Sequence, residues 1–261
     1  MIARTTLLLI AAALSGCAAR APVRPTGTPV PDPAAIMGFT NATRECAGLK
    51  TLTAEVRLSG RAGDERIRGT LIVGLAAPAS LRFEAVAPFG APVFILAGRD
   101  NRATLLLPRD NRVLVDAGVA EILERLTGLG LAADDLRYIL TGCLAASPTP
   151  SEGRTWPDGW QAVTVGDGIT AYLRTVDAGP AIVAADHRGW RVDYSDHLNH
   201  WPRRVRIRTA DGAKVDITAA IDQLEMNVAI DEKAFEVAVP ANAGRITLED
   251  LRAVAPLRGS T

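Results

Sequence analysis

The 261-residue chain is short of several things, and each shortage excludes something. Net charge is absent: 29 Lys and Arg stand against 29 Asp and Glu. No basic block could neutralise several phosphates, which argues against nucleic acid as a partner. The longest apolar run, Thr5–Ala13, is too short for a permanent membrane-spanning helix. Nucleophile and phosphate motifs are missing too: there is no Gly-x-Ser-x-Gly, no P-loop and no Gly-x-Gly-x-x-Gly after a strand. Paired carboxylates such as Asp134-Asp135 and Glu249-Asp250 read as helix starts, where the dipole favours them. The nearest thing to a metal cluster is Asp193, Asp196, His197 and His200 in DYSDHLNHW, in a connection after a strand and without a glutamate placed as a base. A solvated loop is the plainer reading there. No enzyme, metal site or cofactor is expected.

What is present begins at the N-terminus. Arg4 precedes the apolar run, which ends on Leu14-Ser15-Gly16-Cys17. A charge followed by a short apolar stretch is the layout of an export signal. Leu-Ser-Gly-Cys resembles the bacterial lipobox, in which the signal is cut before a cysteine that carries diacylglycerol and an N-acyl chain. On that resemblance residues 1–16 are a signal and Cys17 is the lipidated first mature residue; the alternative is an ordinary secretory signal with a chance cysteine. Two or three acyl chains hold a membrane firmly where one does not. Ala18 rather than aspartate after the cysteine implies, by the same resemblance, the periplasmic face of the outer membrane. Residues 17–31 are Pro-rich without apolar periodicity and read as an extended tether.

From residue 32 the chain reads as one domain. Asp32–Leu49 has apolar residues at three and four spacings, as a helix requires. At Thr51 the period becomes two. Leu52, Ala54, Val56 and Leu58 alternate with polar residues, as do Ile67, Leu71, Val73 and Leu75, and then Leu81, Phe83 and Ala85. VFILAG, RATLLLP and RVLVDA follow as short strands. Helical spacing returns at Val119–Gly128 and Asp134–Gly142, residues 145–160 read as a loop, and six more strands run from WQAVTVG to AKVDITAAID. FEVAVP reads as a short strand and LEDLRAV as a helix. The sum is a mainly β fold, a curved antiparallel unclosed barrel of about 11–12 strands under a lid of three short helices.

The order of motifs resembles the family of outer-membrane lipoprotein receptors (LolB) and the lipoprotein-carrier fold it shares with LolA. The residues that carry the likeness are Ala87-Pro88-Phe89-Gly90, ERLTG at Glu124–Gly128, LRYILTG at Leu136–Gly142, WRVDY at Trp190–Tyr194 and the strand led by Pro202, within about residues 50–221. The resemblance implies an apolar cavity for acyl chains. Its walls would include Val56, Leu71, Phe83, Ile95, Leu105, Ile122, Leu126, Leu136, Ile139 and Leu140. It also implies an acylated lipoprotein as cargo, a LolA-like periplasmic carrier as donor, the inner leaflet of the outer membrane as acceptor, and a monomer. Alternating apolar residues are also what plain core looks like, so a filled interior is the competing reading. Pro88, Phe89 and Gly90 match the family's exposed loop that meets the membrane; Phe89 could equally fold back on the sheet edge. Cys46 and Cys143 would meet if their helices share one lid, as a disulfide or as two buried thiols. Arg204, Arg206 and Arg208 form a basic stripe that could meet an acidic carrier or anionic headgroups if it borders the mouth. The alternative function is a protein of this fold that carries another lipid, or a non-catalytic envelope scaffold; the extension over residues 222–261 favours it.

Overall fold

A computed structural model describes residues 23–87, 89–145, 148–166, 168–177, 179–187, 189–210, 214–254 and 257. Cys17 and Pro88 lie outside the described residues. The strands are β1 (Val30–Pro31), β2 (Thr51–Ala62), β3 (Glu65–Ala76), β4 (Ser80–Val86), β5 (Ile95–Arg99), β6 (Arg102–Leu107), β7 (Arg112–Gly118) and β8 (Pro150–Thr155). They continue as β9 (Gln161–Val165), β10 (Ile169–Val176), β11 (Gly179–Asp186), β12 (Trp190–Ser195), β13 (Arg204–Thr209), β14 (Val215–Met226) and β15 (Gly244–Arg245). The helices are α1 (Ala34–Ala42), α2 (Val119–Thr127), α3 (Ala133–Thr141) and α4 (Leu248–Val254).

The fifteen strands of the described residues form one open sheet in the order β1-β8-β9-β10-β11-β12-β13-β14-β2-β3-β4-β5-β6-β7-β15. Every pairing is antiparallel except β15 with β7. The half-barrel with a helical lid is therefore the fold expected from the alternation of apolar residues. The first and last strands of the order, β1 and β15, are two residues long, so neither edge offers a long ladder to another chain.

Several expectations change in detail. The first helix stops at Ala42 instead of reaching Leu49. Thr40 and Thr43 hydroxyls bond back to the Ile36 and Phe39 carbonyls, the chain turns, and a separate 3-10 turn spans Cys46–Gly48. Residues 145–160, expected as a loop, contain β8, whose Ser, Gly and Arg residues hide its strand character. FEVAVP forms no strand: the 3-10 turn Glu232–Phe235 covers β4 and β5, and the chain then runs on outside any ladder. The tether is not a free leash where it is described, because Arg24 is bonded to the sheet and Val30–Pro31 pair with β8.

Antiparallel connectivity gives the sheet two ends. One, the open rim, carries the turns joining β2 to β3, β4 to β5, β6 to β7, β11 to β12 and β13 to β14. At the other end Cys46 and Cys143 are joined in a disulfide, linking the turn after α1 to the end of α3. The core lies on the concave face: α1 packs on β8, β9 and β11, α3 on β3 and β4, and α2 on β7 and α4.

Candidate functional site

Between the concave face and the lid lies an apolar cavity of about 110 Å³. Val56 and Leu58 of β2, Leu71 and Val73 of β3, Phe83 of β4, Val205 and Ile207 of β13, and Ile217 and Ala219 of β14 form the sheet wall. Leu123, Leu126 and Thr127 of α2, Leu136 and Leu140 of α3, and Leu129 and Leu131 between the helices form the lid wall. Phe94 and Leu257 complete it. Thr127 alone among these described residues is polar, and its hydroxyl donates to the Leu123 carbonyl at 2.8 Å. The wall therefore offers an incoming molecule dispersion and dryness and no polar contact.

Local sequence explains the placement. Helical spacing in VAEILERLTG puts Leu123 and Leu126 on one stripe, and Gly128 ends the helix in the left-handed conformation at φ 79°. On β2 and β3 the register Val56↔Leu71 and Ala54↔Val73 brings two apolar rows side by side.

Of the ten expected wall residues, Val56, Leu71, Phe83, Leu126, Leu136 and Leu140 line this cavity. Four do not. Ile95 pairs with Glu84 and shares its outward face, while Leu96 pairs with Phe83 and points in. The long β4–β5 connection left that register open, and a slip of one residue exchanges the faces. Leu105, paired with Leu96, and Ile122 are wholly buried in the packed core, away from the hollow. Ile139 lines a neighbouring 440 Å³ cleft with Asp135, His187 and Trp190, which touches the apolar cavity at Leu131. Burial, helped by Asp134, pushes the Asp135 carboxyl upward; burial also lowers His187 to about 4 against the opposing pull of Asp186.

A second cleft of about 600 Å³ shares Leu126 and Leu257 with the cavity. Glu65, Arg66, Glu124, Arg125 and Lys214 stand around it, so a charged vestibule opens on the rim beside an oily interior. Leu257 sits at the threshold, its carbonyl accepting the Arg68 N–H at 3.2 Å.

On the same rim Phe89 is 89% exposed and Val86 is exposed below it. Arg109 holds the loop by donating to the carbonyls of Ala91 and Phe89, each at 3.2 Å. Arg109 had no signal in the sequence beyond a turn-forming Arg-Asp-Asn. Val205, Ile207, Ile217 and Ala219 are legible from period two but need the sheet order to be assigned to a cavity, whereas Phe94, in the β4–β5 connection, carries no such signal.

The other candidates disperse. Asp193 faces away from the histidines toward Arg24 and Arg208, and Asp196 pairs with Arg204 at 2.9 Å. His197 and His200 line a cleft beside the disulfide, where burial lowers His197. Among the described residues no group of three His, Cys, Asp or Glu is arranged to hold a metal. The arginine stripe is internally neutralised: Arg204 pairs with Asp196, Arg206 with Asp216 and Arg208 with Asp193.

No protein-family model and no curated protein matches the chain. Among solved structures it is similar to a LolA superfamily protein from Nitrosomonas europaea, with a TM-score of 0.50 and 11% identity over 77% of this chain and 98% of that one. It is also similar to a DUF1329 family protein from Desulfovibrio piger, with a TM-score of 0.46, 11% identity, and 77% and 97% of the two chains covered. For the lipoprotein LppX of Mycobacterium tuberculosis the TM-score is 0.34, with 13% identity over 77% and 100%. At such identities the likeness is one of fold: the open sheet with its helical cover is a LolA-like fold.

Proposed function

We propose that this chain is an acyl-chain-binding lipoprotein of the outer membrane, anchored through Cys17, that receives acylated lipoproteins from a LolA-like carrier and passes them to the bilayer. The observation that carries this reading is the dry hollow between α2, α3 and the sheet, entered beside a charged vestibule. Each methylene moved from water into such a space gains about 0.8 kcal/mol, so one palmitoyl-sized chain gains on the order of 10 kcal/mol. Handover then needs no nucleotide. It runs downhill as long as each successive site shelters the chains better than the last.

The hollow at 110 Å³ is below the roughly 300–1,000 Å³ usual for ligand pockets. Loading a whole chain therefore requires the lid to rise. The disulfide fixes the far end of α3, which leaves α2 and the Gly128–Leu131 connection at the rim as the part free to lift. Phe89 would enter the bilayer during delivery, a role supported by its exposure on a loop whose backbone Arg109 ties down.

The test is transfer of a fluorescent triacylated lipoprotein from its carrier to this chain and on to vesicles. Ala219→Phe fills the hollow and should abolish loading. Phe89→Glu should keep loading and lose delivery at least tenfold. Loading that survives Ala219→Phe would remove the cavity from the mechanism. A chain that ignores lipoproteins yet co-purifies with another lipid would establish the carrier alternative instead.

A further inference from the structure

The N-terminal segment crosses the convex face of the sheet along a defined track. The Arg24 guanidinium donates to Asp193 Oδ1 at 2.8 Å and to Asp186 Oδ1 at 2.9 Å. It lies 4.7 Å above the Tyr172 ring. Asp193 is 3% exposed and is met from its other side by Arg208, so the clamp closes on a carboxylate already withdrawn from water. Three residues on, the Gly27 carbonyl accepts the Trp156 indole N–H at 3.2 Å, and Val30 pairs with Thr155.

These contacts give the track a direction. Asp186 is the last residue of β11, at the rim that carries the β2–β3 turn, the vestibule and the Phe89 loop. Thr155 ends β8 at the opposite end of the sheet. The chain therefore comes onto the domain at the rim and runs away from it. Cys17 is seven residues before Arg24, a reach of about 25 Å at full extension. Were the segment loose back to Ala34, the reach would be about 60 Å and would impose no orientation.

We infer that Arg24, clamped by Asp186 and Asp193, makes the N-terminal segment an orienting strut, which holds the open rim with its vestibule and Phe89 toward the membrane that carries the Cys17 lipid. This rests on the reading of Cys17 as the lipid anchor. A domain free to tumble on a long leash would present the rim to the bilayer only part of the time; the clamp makes that presentation the resting state. The cost of bringing Phe89 to the surface is then met in advance by the fold.

The test uses the full lipidated chain in phosphatidylethanolamine and phosphatidylglycerol vesicles containing headgroup spin-labelled lipid. A small fluorescent amino acid is placed either at Asp64, exposed in the β2–β3 turn on the rim, or at Asp177, exposed in the β10–β11 turn at the far end. Quenching at position 64 should exceed that at 177 at least threefold. Arg24→Ala should bring the ratio toward one while flotation with the vesicles is unchanged. A ten-residue Gly/Ser insertion between residues 19 and 20, which leaves the clamp intact, should do the same. Equal quenching in the unaltered chain, or asymmetry that survives both variants, overturns the strut. A chain that does not float with vesicles overturns the lipid-anchor reading itself and the strut with it.

Discussion

Two flanks of one concave face are covered by helices, yet one is solid and the other hollow. Under α1 the helix backbone comes down onto the strands: Ala35 and Phe39 are fully buried, and a Cβ at Gly153 of β8 would stand 2.3 Å from the Asp32 carbonyl oxygen. Small residues at the contact, Gly153 and Ala35, let Phe39 fill what remains against strands that bring Ala171 and Ala185 to the same face. Under α2 and α3 a row of Leu on the lid faces mainly Val, Ile and Phe on the sheet, with Ala219 among them, and the helices stand off. Branched side chains from the lid and the sheet line a space of about 110 Å³ that they do not fill. In this chain, close backbone approach at Gly153 and Ala35 closes one flank, while side chains on both the lid and the sheet hold the other open.

The disulfide ties the two flanks together, and breaking it should have the largest effect. It closes a segment of 97 residues, a constraint worth about 4–5 kcal/mol in the unfolded chain. The Cys46→Ser, Cys143→Ser double variant should lose a substantial part of that in urea denaturation. It should also load acyl probe faster, because α3 is no longer pinned. Slower or unchanged loading would mean that the lid opens only at the α2 end.

Next is a matched pair of truncations. Phe39→Ala on the solid flank should cost about 3–5 kcal/mol and leave probe binding unchanged. Leu140→Ala on the hollow flank should cost about 2 kcal/mol, because a side chain facing empty space has fewer contacts to lose, and should enlarge the space for probe. Equal costs, measured by urea denaturation, would dissolve the distinction between the flanks. Gly153→Ala sharpens it from the other direction: the added methyl must push α1 off β8, at about 1–3 kcal/mol.

The same contrast sets what the amino-acid sequence reveals of the fold and of the hollow. Period two on β2, β3 and β4 fixed the inward rows, and Val56, Leu71 and Phe83 fell on the wall. Leu126, Leu136 and Leu140 followed from helical spacing. Ile95 went the wrong way because an eight-residue connection, 87–94, says nothing about register. Solid and hollow could not be told apart, since Leu105 and Leu71 are equally apolar and only the height of the helix above each decides which one borders a void. The Arg24 clamp was hidden for a different reason: its partners lie 162 and 169 residues away, and a Pro-rich segment with one arginine looks like any linker. Leu257 at the threshold is invisible for the same cause.

The smallest effect expected is the titration of His187, which lies on the seam between the flanks, stacked on Trp190 with ring centroids 3.7 Å apart. Burial lowers its folded-state value from the ordinary 6.5 to about 4, with Asp186 opposing the shift. Below pH 6.5 the unfolded chain gains a proton there that the folded chain does not, so stability falls as pH drops from about 6.5 to about 4 and levels off once the folded imidazole also protonates. Burial raises the Asp135 carboxyl beside the same cleft, so it too takes part as pH falls and the readable quantity is a difference. His187→Phe keeps the stacking on Trp190 and removes the proton; the slope of unfolding free energy between pH 6.5 and 5 should be shallower in the variant than in the parent. Identical slopes would show that water reaches the imidazole and that the seam between solid and hollow is open to solvent.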